Sequence, residues 1–264
     1  VTATTPTAEF ASLVYGPDGV VHDDPAEVFH EASSLYPGVA PGRLLSLLEL
    51  ERNVALQETV ARASHTRDHR PGTDLPAVEL GRARLRDVLV ERRSQTPQAR
   101  VSLSCSALAS ILGAAYRSDH GRRAVPSGGA LYPLELYAVA LEVDSLEPGV
   151  HHYNPYRHRL SLLRFVEREA VALALVDPGL AENAAALIVV TAMFWRSRFK
   201  YGLRGYRFAL LEAGHVMQNA LLAAAALGVP ARPLGGYYDR LLDGLVGADS
   251  LDEASVYAVV LGGA

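Results

Sequence analysis

The chain has a single cysteine, Cys105, among 264 residues, with two methionines and one tryptophan. One thiol excludes an intrachain disulfide and any zinc site built on cysteine pairs, and it suits a reducing compartment. A surplus of charge is also lacking: 25 Lys+Arg stand against 29 Asp+Glu, a formal net charge of -4. Without a basic excess, nucleic acid is not expected as a partner. The most apolar run, 208–228, is too short and too interrupted by Glu212, His215, Gln218 and Asn219 to cross a bilayer, so no membrane partner is expected. Residues 1–10 carry neither a basic nor an apolar signal-peptide region, and the expected location is the cytoplasm. There is no GxxxxGK[ST] and no GxGxxG after a strand, which removes the P-loop and the Rossmann fingerprint. His65, His69, His151, His152, His158 and His215 lack ligand spacing, and neighbours 151 and 152 would point to opposite faces of a strand. No metal is expected, and His215 reads as a satisfied buried histidine.

What is present is punctuated differently in two parts. Residues 1–82 are broken by Pro6, Gly16-Pro17, Pro37-Gly38, Pro41-Gly42 and Pro71-Gly72, and only 25–34 and 43–63 read as helices. This part is expected to be an N-terminal extension packed on a main domain, 83–264. From residue 84 the pattern is regular: helices at 85–92 and 102–116, a buried strand at 134–143, and a hairpin over 149–164. A helix at 167–176, a central strand at 185–194, a short helix at 239–246 and a last strand at 255–261 follow. Hairpins with interspersed helices make the fold class α+β, not alternating βαβ.

The organising element is the run behind Arg198–Arg207. It opens with Lys200, Tyr201, Arg204 and Arg207, turns almost wholly apolar from Phe208, and stops at Gly228 with Pro230 beyond, so both helix ends are marked. Apolar residues around most of its circumference predict a central helix buried on nearly all sides. Two other stretches carry polar chemistry. Arg92, Arg93 and Ser94 supply forked donors suited to a phosphate. Pro126-Ser127-Gly128-Gly129 is a loop whose glycines let backbone approach a planar ligand, entering a buried strand through Leu131-Tyr132-Pro133.

In order along the chain, Arg92-Arg-Ser94, the stretch Pro126 to Tyr137, Gly149-Val-His-His-Tyr153, Glu212-Ala-Gly-His-Val-Met-Gln-Asn219 and Gly235-Gly236-Tyr237 resemble the FMN-dependent nitroreductase superfamily. Within it the chain is most similar to the SagB-type azoline oxidases, over about residues 84–262. The resemblance implies a nitroreductase-like fold, an antiparallel-rich mixed sheet around the central helix, and a homodimer with FMN at the interface. Arg92, Arg93 and Ser94 would contact the flavin phosphate, ribityl chain or ring edge. Pro126, Ser127, Gly128 and Gly129 would line the isoalloxazine, from the same or the partner chain. Gly235 and Gly236 would bring backbone amides to its N5 and O4 region, and Gln218 is the better candidate on the helix to approach it. Many relatives carry a further basic residue near the C-terminus, where this sequence reads Val259-Val-Leu-Gly-Gly263. Either Arg232 or another basic residue takes that role, or FMN is held more weakly.

In azoline-oxidising members an adjacent Lys-Tyr precedes the central helix, the place of Lys200-Tyr201 here. Converting a thiazoline or oxazoline into the aromatic azole removes an acidic ring proton, so a base is needed. Lys200 serves if burial or the charges of Arg198, Arg204 and Arg207 lower its pKa; alternatively Lys200 makes Tyr201 the base. The implied function is oxidation of azoline rings in a ribosomal precursor peptide, with oxygen reoxidising the flavin and a cyclodehydratase as partner. The alternatives are an oxidase for a nonribosomal assembly line, an NAD(P)H-dependent nitro or quinone reductase, and a silent flavin-fold scaffold.

Overall fold

Strands that are apolar at every position need cover on both faces, and the central strands of this chain read that way. The structure is a computed structural model and describes residues 24–37 and 67–263, with positions 52, 53, 55 and 59. The expected helix at 43–63 falls outside the described residues apart from those isolated positions. Helix α1 (Pro25–Ala32) is capped by Asp24, whose side chain accepts from Ala26 N. Strand β1 (Gly72–Asp74), helix α2 (Leu85–Glu91) and helix α3 (Cys105–Tyr116) follow, the last capped by Ser104.

Next come a two-stranded ribbon, β2 (Ser118–Asp119) and β3 (Arg122–Arg123), and the strands β4 (Leu134–Ala140), β5 (Gly149–Asn154) and β6 (Arg159–Arg164). Helix α4 (Arg168–Ala174), strand β7 (Ala186–Met193), helix α5 (Trp195–Tyr201), helix α6 (Arg204–Ala226), strand β8 (Ala231–Leu234), helix α7 (Asp239–Val246) and strand β9 (Glu253–Leu261) complete the described order.

Seven strands form one sheet in the order β1-β6-β5-β4-β7-β9-β8. Every ladder in it is antiparallel, which corrects the expected mixed sheet. The cause is the connectivity: β4, β5 and β6 are hairpin neighbours, and the longer crossovers also return antiparallel. Residues 72–74, from the expected extension, add the edge strand beside β6. The opposite edge is β8, where Pro233 needs no ladder donor.

Alternation splits the core in two. Leu134, Leu136, Ala138, Ile188, Val190 and Val259 face α3 and α6, while Tyr137, Val139, Leu187, Val189 and Val260 face the α4 and α7 side. Helix α6 is not buried on nearly all sides. Ala209, Ala213, Val216, Met217, Ala220 and Ala224 are buried, whereas Leu210, Leu211, Gly214, His215 and Gln218 are exposed, Leu211 at 62%. The helix lies on the sheet, and among the described residues no second layer covers its outer face. His215 accordingly sits on that outer face, contrary to the expected buried histidine.

Candidate active site

The chain around Lys200 is two helices instead of one. Gly202, at φ +56, ends α5, and α6 starts two residues later. The helices then meet closely: a Cβ on Gly205 would lie 2.7 Å from the Ser197 carbonyl carbon, so only glycine fits there. This corner fixes Lys200 and Tyr201 at the mouth of α6. Lys200 is 7% exposed, with Nζ 5.4 Å from the Tyr201 ring centroid. The Tyr201 ring meets Phe208 edge-on at 4.9 Å.

Arg196, one turn before Lys200, anchors α5 to the sheet. Its Nη1 donates to Glu135 Oε1 at 2.6 Å, and His152 Nε2 donates to Glu135 Oε2 at 2.8 Å; all three side chains are essentially inaccessible. Burial pushes the Glu135 carboxyl up, but the His152 hydrogen bond and the Arg196 charge overcome it and hold the carboxyl at about 2. Beside this group Tyr137 Oη and Thr191 Oγ1 both donate to Glu253 Oε1, at 2.8 and 2.5 Å. Four strands thus share a buried polar layer at the end of the sheet from which α5 departs.

The glycine loop comes to the same place. A Cβ at Gly128 would touch the Phe208 ring at 3.0 Å, and one at Gly129 would lie 2.5 Å from Tyr201 Oη and 3.3 Å from Lys200 Nζ. Pro126 is exposed at the start of this loop. Ser127 turns inward: its Oγ accepts from Tyr132 N at 2.9 Å, and its hydroxyl faces Glu212 on α6. Glu212, which the sequence presented only as an interruption of the apolar run, is 2% exposed and accepts from Tyr116 Oη at 2.7 Å. Burial raises its carboxyl to about 7, against the opposing hydrogen bonds from Ser127 and Tyr116 and the charge of Arg123.

Arg204 and Arg207 are committed elsewhere. Arg204 Nη1 donates to Ser33 O at 3.1 Å, Arg207 Nε donates to Ser33 Oγ at 2.8 Å, and Arg207 Nη2 donates to His30 O. They satisfy the C-terminal groups of α1, a favourable place for cations, while Phe29 packs edge-on against Tyr206 at 5.2 Å. Arg198 is exposed.

The second group of expected site residues lies at the far end of α6, a helix of 23 residues and therefore about 34 Å long. Arg92 and Arg93 line a cavity of about 700 Å³ with Arg82, Arg84, Gln95, Leu221 and Ala225. Arg93 Nη1 donates to Val90 O and Arg92 O, at 2.7 and 2.9 Å. Ser94 is exposed beside them, and the next residue, Gln95, donates its N–H to Ala231 O at 2.9 Å, tying this corner to β8. Arg232 on β8 donates to Thr96 Oγ1 at 2.7 Å, close to the same corner. Gly235 and Gly236 follow β8 with their surfaces open: a Cβ at Gly235 would meet nothing within 4 Å. Gln218 is exposed on the outer face of α6 and does not line this cavity. Within one chain, then, Lys200, Tyr201 and 126–129 meet at one end of α6, while Arg92, Arg93 and Ser94 gather at the other; β8 starts at that far end and runs back along β9 from Leu261 to Ala258, so Gly235 and Gly236 after it stand apart from the arginines.

This architecture has known counterparts. A family model described as "Nitroreductase family" matches residues 90–263. The chain belongs to the nitroreductase family. The nitroreductase MJ1384 of Methanocaldococcus jannaschii is 37% identical over 171 residues, 63% of this chain and 84% of that protein. The trifolitoxin-processing protein TfxB of Rhizobium leguminosarum bv. trifolii is 32% identical over 54% of this chain and 40% of its own length. The microcin B17-processing protein McbC of Escherichia coli is 35% identical over 45% of this chain and 46% of its own. The match thus spans less than half the length of the two processing proteins. Among solved structures, a nitroreductase from Anabaena variabilis superposes with a TM-score of 0.66 at 23% identity, covering 87% of this chain and 49% of that one. The E. coli microcin synthetase McbBCD complex with truncated pro-MccB17 gives 0.58 at 23% identity, covering 99% and 94%. These two likenesses concern the fold. Among the described residues no helix is long and apolar enough to cross a membrane.

Proposed function

We propose that this nitroreductase-family chain is an FMN-dependent oxidase that converts thiazoline or oxazoline rings of a precursor peptide into thiazoles or oxazoles. The observation that carries the reading is the meeting of Lys200 and Tyr201 with Gly128 and Gly129. A buried lysine amine and a phenol stand against backbone that has no side chain to block a flat ligand. The homology to two toxin-processing proteins supports a peptide substrate; a cyclodehydratase partner, with residues 1–82 as the docking side, completes the proposal.

The chain's own features fit FMN at the other half of the site. Four guanidiniums line one cavity, suited to a phosphate, and the open surface of Gly235 and Gly236 leaves backbone N–H groups free to face a ring edge. Bound there, FMN would supply the two-electron acceptor, with oxygen returning it to the oxidised form. Lys200 and Tyr201 do the protein's part, taking the acidic ring proton at Nζ or at Oη.

Because the two groups of residues lie at opposite ends of α6, a complete site is shared between two chains. The α6 helices pack antiparallel through the exposed stripe Leu211, Gly214, His215 and Gln218, bringing each Lys200 corner to the partner's arginine cavity. A neutral-to-acidic replacement at the stripe, Leu211→Glu, is expected to yield monomers by sedimentation and to release FMN. A variant that stays dimeric and yellow would exclude this arrangement. For the chemistry, a synthetic thiazoline peptide is the probe: Lys200→Ala or Tyr201→Phe, with FMN still bound, should lower azole formation by about a hundredfold or more. Full dehydrogenation by both variants would defeat the catalytic assignment. Rapid NADPH consumption without azoline turnover would instead favour the reductase.

A further inference from the structure

We propose that Glu212 is a positioning residue for the Lys200–Tyr201 site: its carboxylate, held beneath the glycine loop by Ser127 and Tyr116, keeps Gly128 and Gly129 against those two side chains. This deepens the reading above and rests on it only for the role of the loop. The loop needs holding. Gly129, Ala130 and Tyr132 all have positive φ, at 64, 54 and 45, and for alanine and a bulky tyrosine this is a strained conformation. Strain of about 1–3 kcal/mol per residue persists only where surrounding contacts over-determine it. Those contacts are on hand. Tyr132 donates its N–H to Ser127 Oγ at 2.9 Å and accepts Arg123 N–H on its Oη at 3.3 Å. Ser127 also faces Glu212 and lowers its carboxyl, which accepts from Tyr116 Oη at 2.7 Å. Glu212 is therefore where the loop, α3 and α6 are joined.

The charged and titratable groups facing this carboxylate are Tyr116 from α3, Arg123 from β3 and Ser127 from the loop, with Glu135 of β4 acting on Tyr116 and Arg123. Arg123 does not neutralise Glu212 by a direct bond. Its guanidinium stacks 4.0 Å from the Tyr116 ring and 4.7 Å from the Tyr132 ring, and its Nε and Nη1 have no hydrogen-bond acceptor. A buried acid held by two hydroxyls and a shielded cation ionises near neutrality, where burial places it. Ionisation strengthens the bond from Ser127, because a carboxylate is the better acceptor. The loop is accordingly held more firmly above neutral pH than below it.

The test is amide hydrogen exchange over residues 126–132, at about pH 6 and about pH 8 with intrinsic rates removed. It uses the full chain, wild type against Glu212→Gln and Glu212→Leu. Glu212→Leu should speed exchange of the Gly128, Gly129 and Tyr132 amides by about tenfold, the loss of one charge-assisted hydrogen bond. Glu212→Gln, which keeps the shape and one acceptor oxygen but cannot ionise, should retain most of the protection and lose the difference between the two pH values. Unchanged exchange in a folded Glu212→Leu protein would overturn the proposal. Should that variant not fold, a pH difference persisting in Glu212→Gln would overturn it instead. Absence of FMN binding by the wild type would count against the flavin reading alone, since exchange is measured without cofactor as well.

Discussion

Replacing Arg196 by alanine removes one partner of a buried ion pair and leaves the other in place. Glu135 would stay inaccessible in the sheet, its bond to His152 kept and the guanidinium at its Oε1 lost. Two routes give the size of the loss. Breaking a buried pair from one side costs about 3–5 kcal/mol, because the remaining charge is uncompensated. The carboxyl lies at about 2 against an ordinary 4.5 through His152 and Arg196 together, a difference worth about 3 kcal/mol of folding stability at neutral pH, of which Arg196 supplies part. For a chain of this size such a loss lowers the melting temperature by about 10 °C.

The sign over pH is fixed by the same shift. Glu135 has a depressed pKa, so its stabilisation is fully present above about pH 4.5 and disappears as pH falls toward about 2. Thermal unfolding of wild type and Arg196→Ala, compared at neutral pH and again near pH 3, measures both claims. The gap between the proteins should be wide at neutral pH and narrow in acid. A neutral-pH melting difference of only about a degree would mean that Arg196 contributes no net stability and that α5 is held by its packing alone.

The glycine loop and the α1 contact give further tests. Gly129→Ala puts a side chain at φ +64 and within 2.5 Å of Tyr201 Oη; it should cost about 1–2 kcal/mol in denaturant unfolding and depress azole formation more than that stability loss explains. Gly244→Ala in α7, where a Cβ meets nothing within 4 Å, should instead stabilise by about 0.5–1 kcal/mol, and a destabilised variant would show that this helix is read wrongly. Arg207→Ala removes the bonds to Ser33 and His30; proteolytic cutting within 24–37 should accelerate while the main domain's melting temperature moves little. Equal cutting rates would show that the arginine does not retain α1.

Much of the fold was legible because local pattern and tertiary role agree. The run Leu187–Val190 is apolar at every position and lies inside the sheet, and Gly228 with Pro230 marks the end of α6 within two residues. The proline-bounded glycine loop also announced itself. Short elements were not legible. Gly72-Thr-Asp74 and Ala231-Arg-Pro-Leu234 are strands only because neighbours offer edges to them, and Pro233 argues locally against a strand.

The division of α5 from α6 turned on one positive φ at Gly202, in a stretch whose composition is otherwise continuously helical. Polar pairing was the hardest to read. Glu135 and Arg196 stand 61 residues apart and Tyr116 and Glu212 stand 96 apart, so nothing local couples them. Glu212 could have been noticed as the one acid inside an apolar helix face, a position where a carboxylate needs a specific reason to remain. Arg204 and Arg207 were assigned to the lysine's electrostatics because they are near in sequence. Their actual acceptors belong to a helix more than 170 residues earlier.

The placement of two half-sites on one rod has a genetic consequence. On the proposed sharing of the site between two chains, a chain disabled at Lys200 and another disabled at Arg92 carry their defects at opposite ends of α6, so pairing them leaves one of the two sites assembled wholly from intact halves. Two inactive alleles expressed together would then restore activity to about half per mixed dimer, which is intragenic complementation. Two lesions at the same end could never do so, and the map of which alleles rescue which would trace the two ends of the helix without any further structure.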